Sequence, residues 1–117
     1  MQRFGHVIGA TCGATTNSHW RPVFDPAQAQ PYAEVADGDA STVEAAVAVA
    51  SAAAAGWAAL SSSQRARHLN HLADALEAQL DAFAHAEAID AGKPLALVRD
   101  IEIPRAVSNL RFFAHAA

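Results

Sequence analysis

The residues of this chain that could do chemistry are few and widely spaced. Cys12 could be a nucleophile, but a reactive thiolate needs a base and an electropositive setting, and nothing in the sequence pairs one with it. His68 and His71 could share one face of a predicted helix, although two histidines are an incomplete set of metal ligands. Gly9 and Gly13 lack the Lys-Ser/Thr of a phosphate-binding loop, so we predict a turn there. Residue types and spacing therefore assign no catalytic residue.

Two charged residues at predicted helix ends each leave two interpretations open. Asp90 lies at a helix C-terminus, where the helix dipole disfavours a carboxylate, so it either pairs locally with Lys93 or serves as an oxygen ligand for a hard cation. Arg105 lies in the first turn of a later predicted helix. It either forms a surface pair with Glu102 or Asp100, or binds an anion at the helix start.

Composition excludes several classes of protein. The 117 residues suffice for one domain, and 31 of them are alanine, so the potential core is thin. A net charge of −4 argues against nucleic-acid binding, and a single cysteine excludes an internal disulfide or a multi-cysteine zinc site. Residues 45–60 fall short of a strongly apolar membrane span, and residues 1–6 begin no apolar core of signal-peptide length, so we expect no signal peptide. We therefore expect a cytoplasmic protein with no membrane or nucleic-acid partner.

Residues 1–38 are predicted to contain strands and turns. Strands are expected at residues 4–8, 20–24 and 32–35, and residues 9–18 between the first two are rich in Gly, Thr and Asn. Asp-Pro and Asp-Gly pairs end the later two strands. Pro22 cannot donate a hydrogen bond to a ladder, which predicts an edge position for the second strand.

Residues 39–117 are predicted to be helical. Ser41 and Glu44 form a candidate capping box, and Ser61 and Gln64 form a second one. The helix after Ser61 is either continuous or broken near Leu80, and it ends at Gly92. A last helix is expected to begin at Pro104. The predicted apolar faces are Val43, Val47, Ala50, Ala54 and Trp57; Leu69, Leu72, Leu76, Leu80 and Phe83; and Ile103, Val107, Leu110, Ala114 and Ala117.

The sequence stops within the last of these faces, so we expect residues 1–117 to be an incomplete domain. A chain so rich in alanine should also be marginally stable.

Five short stretches together carry a resemblance to a known family. They are Val23-Phe24-Asp25-Pro26-Ala27; the helix 42–59 with Trp57; Gln64-Arg65-Ala66-Arg67 followed by Leu72-Ala73-Asp74; Asp90-Ala91-Gly92-Lys93-Pro94-Leu95; and Arg111-Phe112-Phe113-Ala114. Their order and spacing resemble the N-terminal segment of NAD(P)-dependent aldehyde dehydrogenases, closely over residues 20–117 and loosely over residues 4–19. Gln28-Ala29-Gln30 departs from the family's usual Thr-Gly-Glu.

The resemblance implies an α/β family fold, of which this fragment would be mainly α-helical with two or three short N-terminal β-strands. It implies oxidation of an aldehyde by thiolate attack, hydride transfer to NAD or NADP, and thioester hydrolysis. The family's nucleophilic cysteine, general-base glutamate and glycine-rich nucleotide loop lie beyond residue 117, and Cys12 matches none of them. We therefore expect no catalytic residue, no cofactor binding and no activity in this chain alone.

Two site assignments come from the resemblance. Asp90 resembles a carboxylate that, with a backbone carbonyl near Val23, holds a structural monovalent cation in many members. Arg105, within Asp100-Ile101-Glu102-Ile103-Pro104-Arg105-Ala106, resembles the arginine that binds the distal carboxylate of the substrate in the 2-hydroxymuconic and 2-aminomuconic semialdehyde branch. The implied partners are the remainder of the subunit and further copies of it.

Two alternatives from other classes stay open: a small helical interaction protein, such as a decayed gene product that binds other subunits, and a free-standing helical domain. A fragment should expose the faces 43–57 and 103–117, whereas a true domain should bury them and melt cooperatively.

Overall fold

The computed structural model describes residues 1–13 and 19–116, without the side chain of Cys12. Residues 14–18 of the Gly-, Thr- and Asn-rich stretch and the face residue Ala117 therefore lie outside the described residues, as does the side chain of Cys12. The strands are β1 Gln2–Phe4, β2 His6–Ile8, β3 Thr11–Gly13, β4 His19–Asp25 and β5 Gln30–Asp37.

The strands form two small sheets. One has the order β1-β5-β4, with β1 parallel and β4 antiparallel to β5, and the other is the antiparallel β2–β3 hairpin. The predicted strand 4–8 is thus divided at Gly5, and its two parts join different sheets. Pro22 lies on an edge strand, as predicted, because β5 is the one neighbour of β4 among the strands that the structure describes. After β4, the Asp25 carboxylate accepts a hydrogen bond from the Ala27 amide at 2.8 Å and starts the turn into β5.

The first helix, α1 (Ala40–Ala59), begins earlier than the capping-box prediction placed it. The Asp39 carboxylate accepts hydrogen bonds from the Thr42 amide at 3.0 Å and from the Ser41 hydroxyl at 2.7 Å. Asp39 is therefore the N-cap, and the predicted cap by Ser41 with Glu44 is wrong. The local signals are similar for Asp and Ser, and the backbone at the end of β5 decides between them.

Helix α1 is almost entirely exposed in the described structure, since Thr42 is its one buried residue. Val43, Val47 and Trp57 are 60%, 58% and 46% exposed, as predicted for a fragment. By length and composition alone α1 could cross a membrane, which differs from the expectation for residues 45–60 because the helix extends over 20 residues. The core helix of a soluble protein and a signal sequence meet the same test, so one such helix is weak evidence for a membrane span.

The next two helices follow the sequence prediction. Helix α2 (Ser62–Ala78) starts with the predicted capping box, in which the side chains of Ser61 and Gln64 each accept a hydrogen bond from the backbone amide of the other residue. The helical stretch is broken at Gln79, and α3 (Leu80–Ala91) ends at Gly92, which has the left-handed φ of 65°. The predicted face is only partly buried, because Leu72 and Phe83 remain 55% and 44% exposed.

The last helical stretch does not begin at Pro104. It begins with α4 (Leu95–Leu97), continues as a π-helical turn (Val98–Glu102) and runs into α5 (Ile103–Ala116). Proline has no amide hydrogen, and its ring crowds the carbonyl four residues earlier, so a proline inside a helix disturbs the regular ladder. Here the wider turn directly before Pro104 accommodates it, and the Ile103 amide bonds to the Val98 carbonyl five residues back.

The chain divides into two compact units, 1–58 and 59–117, whereas its secondary structure changes from strand to helix between Asp37 and Ala40. The core residues of the first unit are small and are Ala33 and Ala36. In the second unit α5 packs against α2, and the buried residues are Ala73, Ala84, Val98, Val107 and Ala114. The face of α5 predicted to be exposed in a fragment is thus largely buried, which corrects that prediction. The exposed aromatic residues of α5 are Phe112 and Phe113.

Candidate functional site

Arg105 lies in the first turn of α5, directly after Pro104, and its residue surface is exposed. Within residues 1–13 and 19–116 its guanidinium forms no ion pair or hydrogen bond. The helical stretch starts at Leu95, so Arg105 is not at a free helix N-terminus, and the predicted help from N-terminal amides is absent. An anion would therefore be bound here by the Arg105 guanidinium itself, which can hold a carboxylate through two parallel hydrogen bonds.

The two acids predicted as surface partners of Arg105 are both bound to other cations. The Glu102 carboxylate accepts a hydrogen bond from the Lys93 ammonium at 2.9 Å, and Asp100 accepts one from the Arg99 guanidinium at 3.0 Å. The surface-pair interpretation of Arg105 is thus wrong for the described residues. Its positive charge remains available to a ligand.

Lys93 connects the end of α3 to the π-helical turn. Its ammonium also donates to Glu87 on α3 at 2.9 Å, so it bridges two carboxylates from different elements. Hydrogen bonds to Glu87 and then to Glu102 raise the pKa of Lys93 above its usual 10.5. The Glu102 side chain is only 25% exposed, so this pair is shielded from water more than most surface pairs are.

A second bridge fixes α5 on α2. The Arg111 guanidinium donates to Asp74 at 2.8 Å and to Glu77 at 2.7 Å, while Val107 and Ala114 are buried on α5. These carboxylates, Asp74 first, raise the pKa of Arg111. The sequence-based prediction of a simple packed face with one extended arginine missed this double pair. A signal was available in the i,i+3 spacing of the two acids on α2, but not for their partner.

The two residues predicted to hold a cation lie in different units. Asp90 is an exposed residue one position before the end of α3, and Val23 is a half-buried residue of β4 that pairs with Ala33. The pairing of β4 with β5 shifts register between Val23 and Phe24: Val23 keeps its partner Ala33, and the extra residue, Tyr32, lies on β5. A carboxylate oxygen and a backbone carbonyl oxygen are both ligands that suit a hard cation. Among the described residues, no three His, Cys, Asp or Glu side chains converge as a metal site.

The predicted histidine pair borders an open cleft of about 220 Å³. Its lining residues are Leu60, Gln64, Arg67, His68 and His71. Among the residues that the structure describes, no third His, Cys, Asp or Glu side chain joins the two imidazoles in a group that could hold a metal ion.

Comparison with known proteins gives the same family as the motifs. Residues 14–117 match the model of the aldehyde dehydrogenase family. The human 2-aminomuconic semialdehyde dehydrogenase is 44% identical over 94 residues, which are 80% of this chain and 19% of that protein. The 2-hydroxymuconic semialdehyde dehydrogenase of Pseudomonas sp. (strain CF600) is 39% identical over 116 residues, which are 97% of this chain and 24% of that protein.

The fold agrees as well. The structure of a candidate aldehyde dehydrogenase from Burkholderia cenocepacia superposes with a TM-score of 0.89 at 28% identity, covering 97% of this chain and 23% of that one. The chain thus spans about a fifth to a quarter of the length of the proteins it matches. The family uses NAD(P). Motifs, sequence and fold coincide over nearly all of the 117 residues, and the chain belongs to the aldehyde dehydrogenase family.

Proposed function

We propose that residues 1–117 are the N-terminal part of an NAD(P)-dependent aldehyde dehydrogenase that oxidises a carboxylate-bearing semialdehyde to the acid. The nucleophilic cysteine, the general-base glutamate and the nucleotide loop would come from the remainder of the subunit. By itself this segment would neither bind the cofactor nor catalyse the reaction. We place the assembled enzyme in the cytoplasm, as a homo-oligomer, with no membrane or nucleic-acid partner.

The observation that carries the substrate class is the guanidinium of Arg105, which has no ion-pair partner among the described residues. An exposed arginine with acidic neighbours ordinarily pairs with one of them, but Glu102 and Asp100 are bound by Lys93 and Arg99. The guanidinium can therefore bind the distal carboxylate of the substrate in bidentate fashion, a geometry that lysine does not provide. The 2-aminomuconic and 2-hydroxymuconic relatives, whose names specify semialdehyde substrates, support this class.

The test is Arg105→Ala in the complete subunit. We expect the KM for an acid-tailed aldehyde to rise by about tenfold or more, the loss expected for a charge-assisted hydrogen bond. The KM for an uncharged aliphatic aldehyde of the same length should stay within about twofold. Arg21→Ala is the matched control, because Arg21 is 71% exposed and its contact to Asp37 is as long as 3.9 Å. An equal rise in KM for both aldehydes would contradict the proposal.

The resemblance supports Asp90 as an oxygen ligand of a structural monovalent cation in the assembled subunit. A cation here would offset the unfavourable position of Asp90 at a helix C-terminus. Its role would be to stabilise the fold and not to take part in the reaction.

A second candidate function is an interaction module of about this size, which the exposed apolar residues of α1 favour. The intact mass of the native gene product separates the two. A product several times larger than 12.2 kDa supports the dehydrogenase subunit, and a product of 12.2 kDa supports the interaction module.

A further inference from the structure

We propose that Lys93 is a positioning residue for substrate recognition: by holding Glu102, it keeps Arg105 free to bind the carboxylate of the substrate. This inference rests on the proposed function of Arg105. It assigns a role to a lysine that lies twelve positions away in the sequence and does not itself contact the substrate.

The first step concerns Glu102 and Arg105. They are three residues apart in continuous helical backbone, since Ile103 between them has helical φ and ψ of −66° and −45°. Side chains three apart on a helix are neighbours, and an acid followed by a base at this spacing ordinarily forms a pair. Without a competitor, Glu102 would occupy the same guanidinium edge that a ligand carboxylate needs.

The second step concerns the competitor. The Lys93 ammonium lies 2.9 Å from a Glu102 carboxylate oxygen and is held from the other side by Glu87, also at 2.9 Å. Gly92, with its positive φ of 65°, turns the chain at the end of α3, so that Lys93 can reach both acids. Glu102 is thereby fixed towards α3, and its charge is balanced before any substrate arrives.

The third step concerns the remaining acid. Asp100 lies in the same π-helical turn and is bound by Arg99 at 3.0 Å, with both side chains more than half exposed. The Lys93 pair is the less exposed of the two, with Glu102 at 25%. Of the two acids near Arg105, Glu102 is therefore held more firmly by Lys93 than Asp100 is held by Arg99, because exposed pairs contribute little.

The experiment compares steady-state kinetics of the complete subunit with an acid-tailed aldehyde and with an uncharged aldehyde of equal length. In K93M the freed Glu102 competes for Arg105, and we expect the KM for the acid-tailed aldehyde to rise about two- to fivefold with kcat unchanged. The KM for the uncharged aldehyde should not change. K93R keeps the cation and should behave like the wild type.

The decisive variant is K93M/E102Q. It removes the competitor together with the lysine, so the KM for the acid-tailed aldehyde should return to the wild-type value. A merely structural role of Lys93 predicts no such rescue. A double variant that stays as impaired as K93M, or a K93M effect that is equal for both aldehydes, overturns the inference.

Two further comparisons keep the outcome unambiguous. If Arg105→Ala does not discriminate between the aldehydes, the proposed function fails; if it does discriminate but K93M/E102Q shows no rescue, only the role of Lys93 fails. Should K93M not fold, E102Q is compared with K93M/E102Q. Equal KM values for the acid-tailed aldehyde support the inference, and a higher value in the double variant overturns it.

Discussion

Single residues decide which charges of this chain are available to a ligand. Of the acids predicted to pair with Arg105, Glu102 is bound by Lys93 and Asp100 by Arg99. The sequence identified Arg105 as a candidate but could not identify Lys93 as the partner of Glu102. The two are nine positions apart across a helix end and a π-helical turn, and no helical periodicity connects them.

At the residue scale, alanine substitutions at two glycines should change the free energy of unfolding in opposite directions. Gly56 lies within α1 with open space around its Cα, so Gly56→Ala should raise the free energy of unfolding by about 0.5–1 kcal/mol. Gly92 has a φ of 65°, so Gly92→Ala should lower it by about 1 kcal/mol. Urea unfolding followed by circular dichroism measures both, and a shift of the same sign in the two variants would refute the assigned conformations.

At the scale of elements, the predicted start of the last helix differs from the observed start because of one proline. Pro104 is equally compatible with a helix start and with a helix interior whose preceding turn is widened. The fully buried Val98 lies in that widened turn and belongs to the core of the second unit. We infer that its packing keeps residues 95–103 helical, so that the π-helical turn, and not a new helix start, precedes Arg105.

The stabilisation that Lys93 provides by connecting α3 to the π-helical turn should decrease at alkaline pH. Because its two carboxylate partners raise the pKa of Lys93, the pairs are complete below the unfolded value of 10.5 and are lost as pH rises through the higher folded value. The wild type should therefore have a higher Tm than K93M at pH 7 to 9. This difference should shrink as the pH passes 10.5, whereas K93R should keep it.

A Tm difference between wild type and K93M that stayed constant across this alkaline range would show that the effect of Lys93 does not depend on the charge of its ammonium group. A difference that grew with pH would have the wrong sign for a cation stabilised by two carboxylates.

At the scale of the whole molecule, the two units bury different amounts of their apolar surface. The predicted face of α5 is covered by α2, but Val43, Val47 and Trp57 of α1 remain about half exposed or more. A hydrophobic dye should therefore bind the isolated 117-residue chain. Val43→Ser together with Val47→Ser should reduce dye fluorescence strongly, with little change in far-UV circular dichroism.

The matched control for this dye experiment is Phe112→Ser, an equally exposed position on α5. It should reduce dye binding less than the α1 double variant, because it removes one exposed apolar side chain and the double variant removes two. Equal dye binding by all variants and the wild type would indicate that the α1 face is covered in solution.

Local signals in the sequence determined much of this protein. The Ser61–Gln64 capping box, the left-handed Gly92 and the edge position of Pro22 all follow from the chemistry of one or a few neighbouring residues, and all are confirmed. The family followed from short motifs in the right order, and it is confirmed by sequence and fold.

The tertiary structure alone decided the features that depend on distant contacts. It placed the cap of α1 at Asp39, widened the helix before Pro104 and buried the α5 face against α2. It also joined Lys93 to Glu102 and left Arg105 without a carboxylate partner among the described residues. The physical reason is that several cations and acids lie within reach of each other along these helices, and only the packing of the helices fixes which of them meet.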